Sequence, residues 1–394
     1  MICLSLPGPT VAEAIADYQQ LKNKIDSVEL RLDLFSEKDI TSFTAQCTHT
    51  VIVTHSLDEA HHDFYGTPQN ILKSIPQGSF KCAWTAQSIL DSWRVLEAQA
   101  DTTAQLMCMG QLGEITRILA PKFGGTRIYA AASKEKKTAP GQLTVDELIA
   151  YRVPQINRHT KLYGLIGDPV ATSLSPEFHN RVFADKGINA CYIKMSVRPY
   201  ELASIIPILR TYFSGVSVTM PHKEAILSYV DTMDSEVKQI GATNTLRIHQ
   251  GKIHAFNTDG RGACDCFETL NNKTLLLLGT GGAARPIAWE AKQRGAQVFV
   301  WGRNCDKARQ FATDLNIAFT PNPNISYDFL INATASLEPI SETYLLPHTT
   351  VMDIHSTPAS LPFLEAAHRK GCRTIHGKEM FVKQALKQSQ LFLD

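Results

Sequence analysis

The sequence predicts an α/β protein built on parallel sheets, and three observations carry that prediction. A glycine-rich turn lies between an apolar run and a helix inside a strand–helix–strand unit spanning 275–301. Short β-rich runs alternate with amphipathic stretches over residues 1–150. The alternation restarts at Leu162, after a polar stretch without periodicity.

Taken in order, the first series has strand candidates at Ile2–Leu6, Ser27–Leu32, Thr50–Thr54, Phe80–Trp84, Ala104–Met109 and Arg127–Ala132, the rhythm of parallel βα units. Val153–Lys161 is predicted to be a linker, with a domain boundary near residue 157. The second series begins at Leu162–Gly167 and continues with strands near Ala190–Met195, Gly215–Thr219 and Thr245–Ile248. The glycine-turn unit follows. Thr350–Asp353 is its expected last strand, and a helix over Lys378–Phe392 is expected to pack back on the earlier unit.

At 394 residues, 44% hydrophobic and 20% charged, the chain can bury two or three cores. A formal net charge of +1 argues against nucleic acid or a membrane surface as the main partner and points to small molecules. The nine cysteines are scattered; Cys264 and Cys266 are too close for a zinc knuckle and have no nearby His pair, so reduced, packed thiols and no metal are expected. Met1–Leu6 lacks a basic leader pattern and no apolar run approaches about eighteen residues, which predicts a cytoplasmic setting.

Within the glycine turn, Gly279 suits a tight bend after Leu278, Gly281 lets backbone N–H groups approach a pyrophosphate, and Gly282, followed by the small Ala283, suits close helix–strand packing. A helix over Ala283–Arg294 and a strand at Gln297–Trp301 complete the unit. An NAD-selective protein places an acidic residue at the tip of that strand. Here the chain reads Gly302-Arg303-Asn304, then Lys307, and a cation there favours the 2′-phosphate of NADP. The alternative is that Arg303 and Lys307 are a solvated helix start.

Four polar clusters surround this unit: Ser173-Leu174-Ser175-Pro176, Val218–Lys223, Gly241–Thr245 and Asn257-Thr258-Asp259-Gly260. Each follows a strand-like run, so their side chains can converge on one pocket suited to a polyhydroxylated carboxylate. A Lys–Asp pair can handle the hydroxyl proton as hydride moves to or from a nicotinamide. Taken singly, Ser-x-Ser-Pro is a helix cap and Lys223 a solvated lysine. Together with Gly167-Asp168-Pro169-Val170, His179-Asn180, Gly279–Ala284 and Gly377-Lys378-Glu379-Met380 with Gln384, the clusters resemble shikimate dehydrogenase from Tyr163 to the C-terminus. The resemblance implies that Ser173, Ser175, Thr219, Asn244 and Gln384 hold shikimate, that Lys223 and Asp259 are the catalytic pair, and that Asn332, Thr334 and Gly377 line the nicotinamide. The chain departs from the family at Gly302-Arg303-Asn304, usually Asn-Arg-Thr, and at His355-Ser356, where an Asp-x-x-Tyr loop is usual.

In the first half, Lys81 lies in an apolar strand, where desolvation lowers an amine's pKa and prepares it to form a Schiff base with a ketone. Arg31 and Arg117 can clamp a carboxylate, Gln142 can bond a hydroxyl, and a histidine can remove the proton that an imine acidifies. With Glu29, these residues resemble class I 3-dehydroquinate dehydratase, a (βα)8 barrel, and the whole order resembles its fusion to shikimate dehydrogenase. His62, in His62-Asp63-Phe64-Tyr65-Gly66-Thr67-Pro68, fits the family's motif but lacks a preceding strand; His55 follows one, and both stay open as the base. The implied domains are 1–156, a dehydratase-like barrel; 160–258, completed by 365–394, for shikimate; and 259–364, a Rossmann domain for NADP. A (βα)8 barrel takes about 200 residues or more, and roughly two βα units between Ile52 and Lys81 are expected to be absent. Two rivals stand beside the bifunctional reading: a dehydrogenase with a degenerate first half, where Lys81 is a salt-bridged or snorkelling lysine, and a nucleotide-binding regulatory module.

Overall fold

The computed structural model describes residues 1–8, 10–31, 34–54, 61–64, 71, 81–358 and 360–394, the side chains of 61–64 excepted. The chain divides into two units, Met1–Leu165 with Ser173–Ile205, and Ile166–Thr172 with Ile206–Asp394.

In the first unit, the described residues up to 130 form seven short strands: β1 Ile2–Leu6, β2 Ser27–Arg31, β3 Thr50–Thr54, β4 His61–Phe64, β5 Lys81–Thr85, β6 Gln105–Met109 and β7 Ile128–Ala130. All pair in parallel, in one sheet ordered β3-β2-β1-β7 and another ordered β4-β5-β6. Neighbouring first and last strands are the ring order of a (βα)8 barrel. Cys3, Ala83, Met107 and Tyr129, from β1, β5, β6 and β7, share one buried cluster, so strands of both sheets contribute to a common interior. β1 is buried along its whole length, as Ile-Cys-Leu-Ser-Leu requires when both faces are covered. The connecting helices start on side-chain caps: Thr10 for Val11–Leu21, and full capping boxes of Ser36 with Asp39 and Ser88 with Asp91 for Glu37–Thr44 and Ile89–Gln99.

Two expectations are corrected here. β4 was absent from the six strand candidates, because His-His-Asp-Phe has neither alternation nor β-branched residues; its pairing with β5, His61 beside Lys81, defines it. The stretch 153–161 is anchored rather than a free linker. Val153–Gln155 forms a 3-10 turn, Lys122 Nζ donates to the Arg158 and Thr160 carbonyls at 3.1 and 2.8 Å, and Arg152 donates to Ile188 O at 2.7 Å. Missing hydrophobic periodicity says nothing about where backbone carbonyls find donors. Strands β8, Lys161–Gly167, and β9, Ala190–Ser196, follow, with the helix Ser175–Asp185 between them.

The second unit carries two sheets. The first contains β10 Phe213–Val218, β11 Thr232–Met233, β12 Thr245–His249 and β13 Lys252–Phe256. β10 runs antiparallel to β12 and β12 antiparallel to β13, where continued parallel βα units were expected. The hairpin β12–β13 turns on Gln250 and Gly251 at φ 50° and 72°, the paired positive values of a type I′ loop. The end of β8 also belongs here: Thr219 N donates to Ile166 O at 2.9 Å.

The other sheet is fully parallel. It contains β14 Thr274–Leu278, β15 Gln297–Trp301, β16 Ala318–Phe319, β17 Phe329–Asn332, β18 Thr350–Asp353 and β19 Arg373–His376, ordered β16-β15-β14-β17-β18-β19. This is the doubly wound dinucleotide order 3-2-1-4-5-6, with its crevice where the order reverses between β14 and β17. β19 follows the strand expected to be last; its Arg-Thr-Ile-His carries too little hydrophobic pattern to signal a strand. Leu275–Leu278 have no exposed surface, explaining the unbroken apolar run. The helix Gly377–Leu393 packs on the short helix Asp259–Cys264 at Gly262, where a Cβ would lie 2.5 Å from Gln384 Cβ.

Candidate active site

Lys223 sits five residues past the end of β10, and Thr243 N holds its carbonyl at 2.8 Å. Its Nζ lies 2.5 Å from Asp259 Oδ2, the two side chains 15% and 8% exposed. Asp259 begins a short helix, its N–H donating to Asn257 Oδ1 at 3.0 Å. Its other oxygen accepts from Asn244 Nδ2 at 2.8 Å. Asn244 also contacts Thr258 Oγ1 at 2.9 Å and Gln384 Oε1 at 3.3 Å, and Gln388 Nε2 donates to its carbonyl at 3.0 Å. A buried amide lattice therefore orients the one carboxylate that meets the lysine, and only the outer face of the pair opens to a ligand.

That face opens on a cavity of about 890 Å³ within the second unit. Its lining brings together Thr219, Lys223, Asp259 and Gln384, the turn Gly279–Ala283 with Trp301–Asn304, and Ala333–Ser336, Ile354–Thr357 and Gly377. Gly279 has φ +107°, and a Cβ there would stand 2.9 Å from Ala333 O, so only glycine makes this bend. A Cβ on Gly281 would meet nothing within 4 Å, leaving the backbone open to a ligand. Gly282 corrects an expectation: its missing side chain faces Lys223 Cβ and Cδ, at 3.4 and 3.5 Å, rather than a packed strand. A Cβ here would stand in ordinary van der Waals contact with the lysine stem.

The predicted residues thus divide. Gly279, Gly281, Gly282, Ala283, Arg303, Thr334, Gly377, Thr219, Lys223, Asp259 and Gln384 line the cavity. Asn244 and Asn332 stand behind the lining; Asn332, fully buried, donates to Ser336 O and Asp353 Oδ2 at 2.9 Å each. Lys307 is exposed, and its backbone N–H donates to the cap residue Asn304 at 2.9 Å, which fits the helix-start alternative for this lysine. Ser173 and Ser175 belong to the first unit, Ser175 N donating to Ser173 Oγ at 3.2 Å at the helix start. Gln388 went unpredicted, although its spacing of one turn from Gln384 is a readable signal. Asp353, unpredicted and fully buried, meets His355 as well as Asn332.

In the first unit, Lys81 Nζ lies 3.4 Å from Glu29 Oε1 and 4.3 Å from the centre of the Tyr129 ring. Glu29 also accepts from Ser5 Oγ at 2.7 Å and Thr54 Oγ1 at 3.3 Å. Arg117 is 4% exposed, and burial pushes its guanidinium down to about 10. Gln142 accepts from Thr138 N and Oγ1 at 2.7 and 3.0 Å, and Arg31 is half-buried. His62 lies on β4 as the register partner of Cys82, so the strand thought missing includes the histidine itself; its side chain, and all of His55, lie outside the described residues.

Residues 2–60 and 59–157 match the model of type I 3-dehydroquinase, and 165–246 match the shikimate dehydrogenase substrate binding domain. Shikimate dehydrogenase (NADP(+)) of Ignicoccus hospitalis is 35% identical over 59% of this chain and 93% of its own length. The chain belongs to the shikimate dehydrogenase family. This family match is one half of a longer order. The shikimate biosynthesis protein AroDE of Chlamydia pneumoniae is 29% identical over all of this chain and 95% of its own. The chain spans 57% of the bifunctional 3-dehydroquinate dehydratase/shikimate dehydrogenase of Arabidopsis thaliana, at 32% identity. The crystal structure of the Thermus thermophilus dehydrogenase in complex with NADP(H) and shikimate superposes with TM-score 0.57 at 29% identity, covering 59% of this chain and 93% of that one.

Proposed function

We propose that this chain is a bifunctional shikimate-pathway enzyme, dehydrating 3-dehydroquinate and reducing the resulting 3-dehydroshikimate to shikimate with NADPH. The observation that carries the reduction is the Lys223–Asp259 pair, at 2.5 Å, opening on the same cavity as the Gly279–Ala283 turn and Arg303. The lining fits a dinucleotide phosphate: an open backbone at Gly281, a cation at Arg303 and no carboxylate at the tip of β15. NADP is therefore the preferred cofactor, and it supplies the hydride. Lys223 gives its Nζ proton to the substrate oxygen as the C–O bond becomes single, and Asp259 keeps the amine oriented. The lysine regains its proton from solvent. Thr219 and Gln384, on the lining, are assigned to substrate hydroxyls; Asn244 acts through Asp259; Ser173 and Ser175 are assigned to the substrate from the resemblance alone.

For the dehydration, Lys81 forms an imine with the ketone, releasing water, and His62 or His55 removes the proton that the imine acidifies. Loss of the hydroxyl as water and hydrolysis of the imine return the free lysine. Arg31 and Arg117 take the carboxylate and Gln142 a hydroxyl. The division of labour is 1–156 for dehydration, 160–258 with 365–394 for shikimate, and 259–364 for the nucleotide, β19 adding a strand to the nucleotide sheet. A cytoplasmic setting is part of the proposal, supported by seven buried cysteine thiols.

Shikimate-dependent reduction of NADP⁺ by the wild-type chain, abolished in Lys223→Ala, tests the reading; no turnover by the wild type overturns it. A dehydrogenase with an inactive first half is the second reading, favoured by one observation: the AroDE match extends over 470 aligned positions against a chain of 394. Measuring 3-dehydroquinate dehydration separately decides between them.

A further inference from the structure

His355 takes part in no step above, yet it lines the cavity with its side chain 23% exposed. Its Nδ1 lies 2.6 Å from Asp353 Oδ1, and its backbone N–H donates to the same oxygen at 3.0 Å. Asp353 accepts through its other oxygen from Asn332 Nδ2 at 2.9 Å. Asn332 Oδ1 in turn accepts from Thr334 N at 3.0 Å and Thr334 Oγ1 at 2.8 Å. A single hydrogen-bonded chain therefore joins the loop after β17, through a fully buried carboxylate, to an imidazole in the loop after β18. An imidazolium meets the Asp353 carboxylate as an ion pair, and a neutral imidazole keeps only a hydrogen bond to it.

We propose that His355 is a positioning residue for the bound dinucleotide: as an imidazolium it ties the loop 333–336 to the loop 354–357, and the cofactor is held more weakly once the ring is neutral. This rests on the cavity being the dinucleotide site.

The hydrogen bond to Asp353 is the main cause that raises the ring above its ordinary 6.5, with the Asp353 charge and the Ala335 carbonyl adding and burial opposing. A raised histidine contributes fully below its unperturbed pKa and loses its contribution as pH rises through the raised value. Other charged or titratable groups surround the same space. Lys223, Glu224, Asp259, Arg303 and Glu338 line the cavity. His376, Lys378 and Glu379 stand at the start of the C-terminal helix, whose Gly377 approaches the His355 carbonyl. Among the described residues, Asp353 is the charged group acting on the ring.

The test measures the Kd of NADPH by its fluorescence, from about pH 5.5 to about pH 9, on the full chain and on His355→Asn, which keeps an amide donor and does not titrate. The variant-to-wild-type ratio removes titration of the cofactor's own phosphates. The expected result is that wild-type binding weakens about three- to tenfold more than the variant's across this range, the size of the difference between a charge-assisted and an ordinary hydrogen bond. The midpoint should coincide with the His355 titration followed by NMR on the wild type, a reading that needs no folded variant. A ratio that does not change with pH, or a midpoint away from the NMR titration, overturns the positioning role while leaving the cavity reading intact. Failure of the wild type to bind NADPH at any pH overturns the cavity reading and this proposal with it.

Discussion

Asp259 owes its function to being half-consumed by the protein: one oxygen is held by Asn244 and the other by Lys223. Asp259→Asn keeps the shape and removes the charge that holds the ammonium. It should lower kcat by about 10²–10⁴-fold with little change in NADP⁺ affinity; steady-state kinetics showing a drop below about tenfold would make Asp259 a substrate-positioning group. Arg303 lines the cavity at the tip of β15 with no carboxylate beside it in sequence. Arg303→Ala should reduce the ratio of kcat/KM for NADP⁺ over NAD⁺ by about tenfold or more, the value of a charge-assisted phosphate contact. An unchanged ratio would assign the 2′-phosphate elsewhere. Both residues were legible in sequence because their chemistry and their place after a strand coincide. Gly282 was legible as a cavity position, whereas Asn332 is buried behind the lining and organises the loop that follows it.

At the scale of elements, long apolar runs were the easiest to read. Leu275–Leu278 and Gln297–Trp301 fell where expected, since a central parallel strand needs hydrophobic residues on both faces. Edge and short strands were not. β4 and β19 exist because neighbours offer them ladder partners, a condition absent from their own residues. The β12–β13 hairpin is an intermediate case, because Gln250-Gly251 between alternating runs is a turn signal that went unread. The contact of Asp259–Cys264 with Gly377–Leu393 is the element pair on which the site depends. Gly262→Ala would force a Cβ to 2.5 Å from Gln384 Cβ and 2.9 Å from Gln384 N. The helices must separate. Urea unfolding should show a loss of about 1–3 kcal/mol, accompanied by a lower kcat as the Asn244–Asp259 lattice shifts; wild-type values in both measurements would mean that the contact relaxes freely.

For the whole molecule, the open question of chemistry lies in the first unit. Lys81 is 25% exposed at its side chain, paired with Glu29 and stacked over Tyr129. A lysine so placed stays within reach of a substrate ketone while Glu29 holds it in position. Borohydride added with 3-dehydroquinate should leave a reduced adduct on the peptide containing Lys81, seen as a mass increase and absent from Lys81→Ala. If no lysine is labelled while shikimate oxidation is intact, the first unit serves as a scaffold.

By itself the sequence determined the α/β class, the glycine-turn nucleotide unit, the Lys–Asp pair and the order of two catalytic families, because each is written in local spacing: apolar runs, turn residues, reactive side chains after strands. Tertiary structure decided what depends on residues far apart in the chain. It brought β1 beside β7 and β14 beside β17, made part of one sheet antiparallel, and joined Asn244, Asp259 and Gln384 across about 140 residues of sequence into one lattice. It also set His355 against a buried aspartate. Local pattern encodes an element's period and its ends, whereas partners, burial and hydrogen-bond satisfaction arise only when distant segments pack.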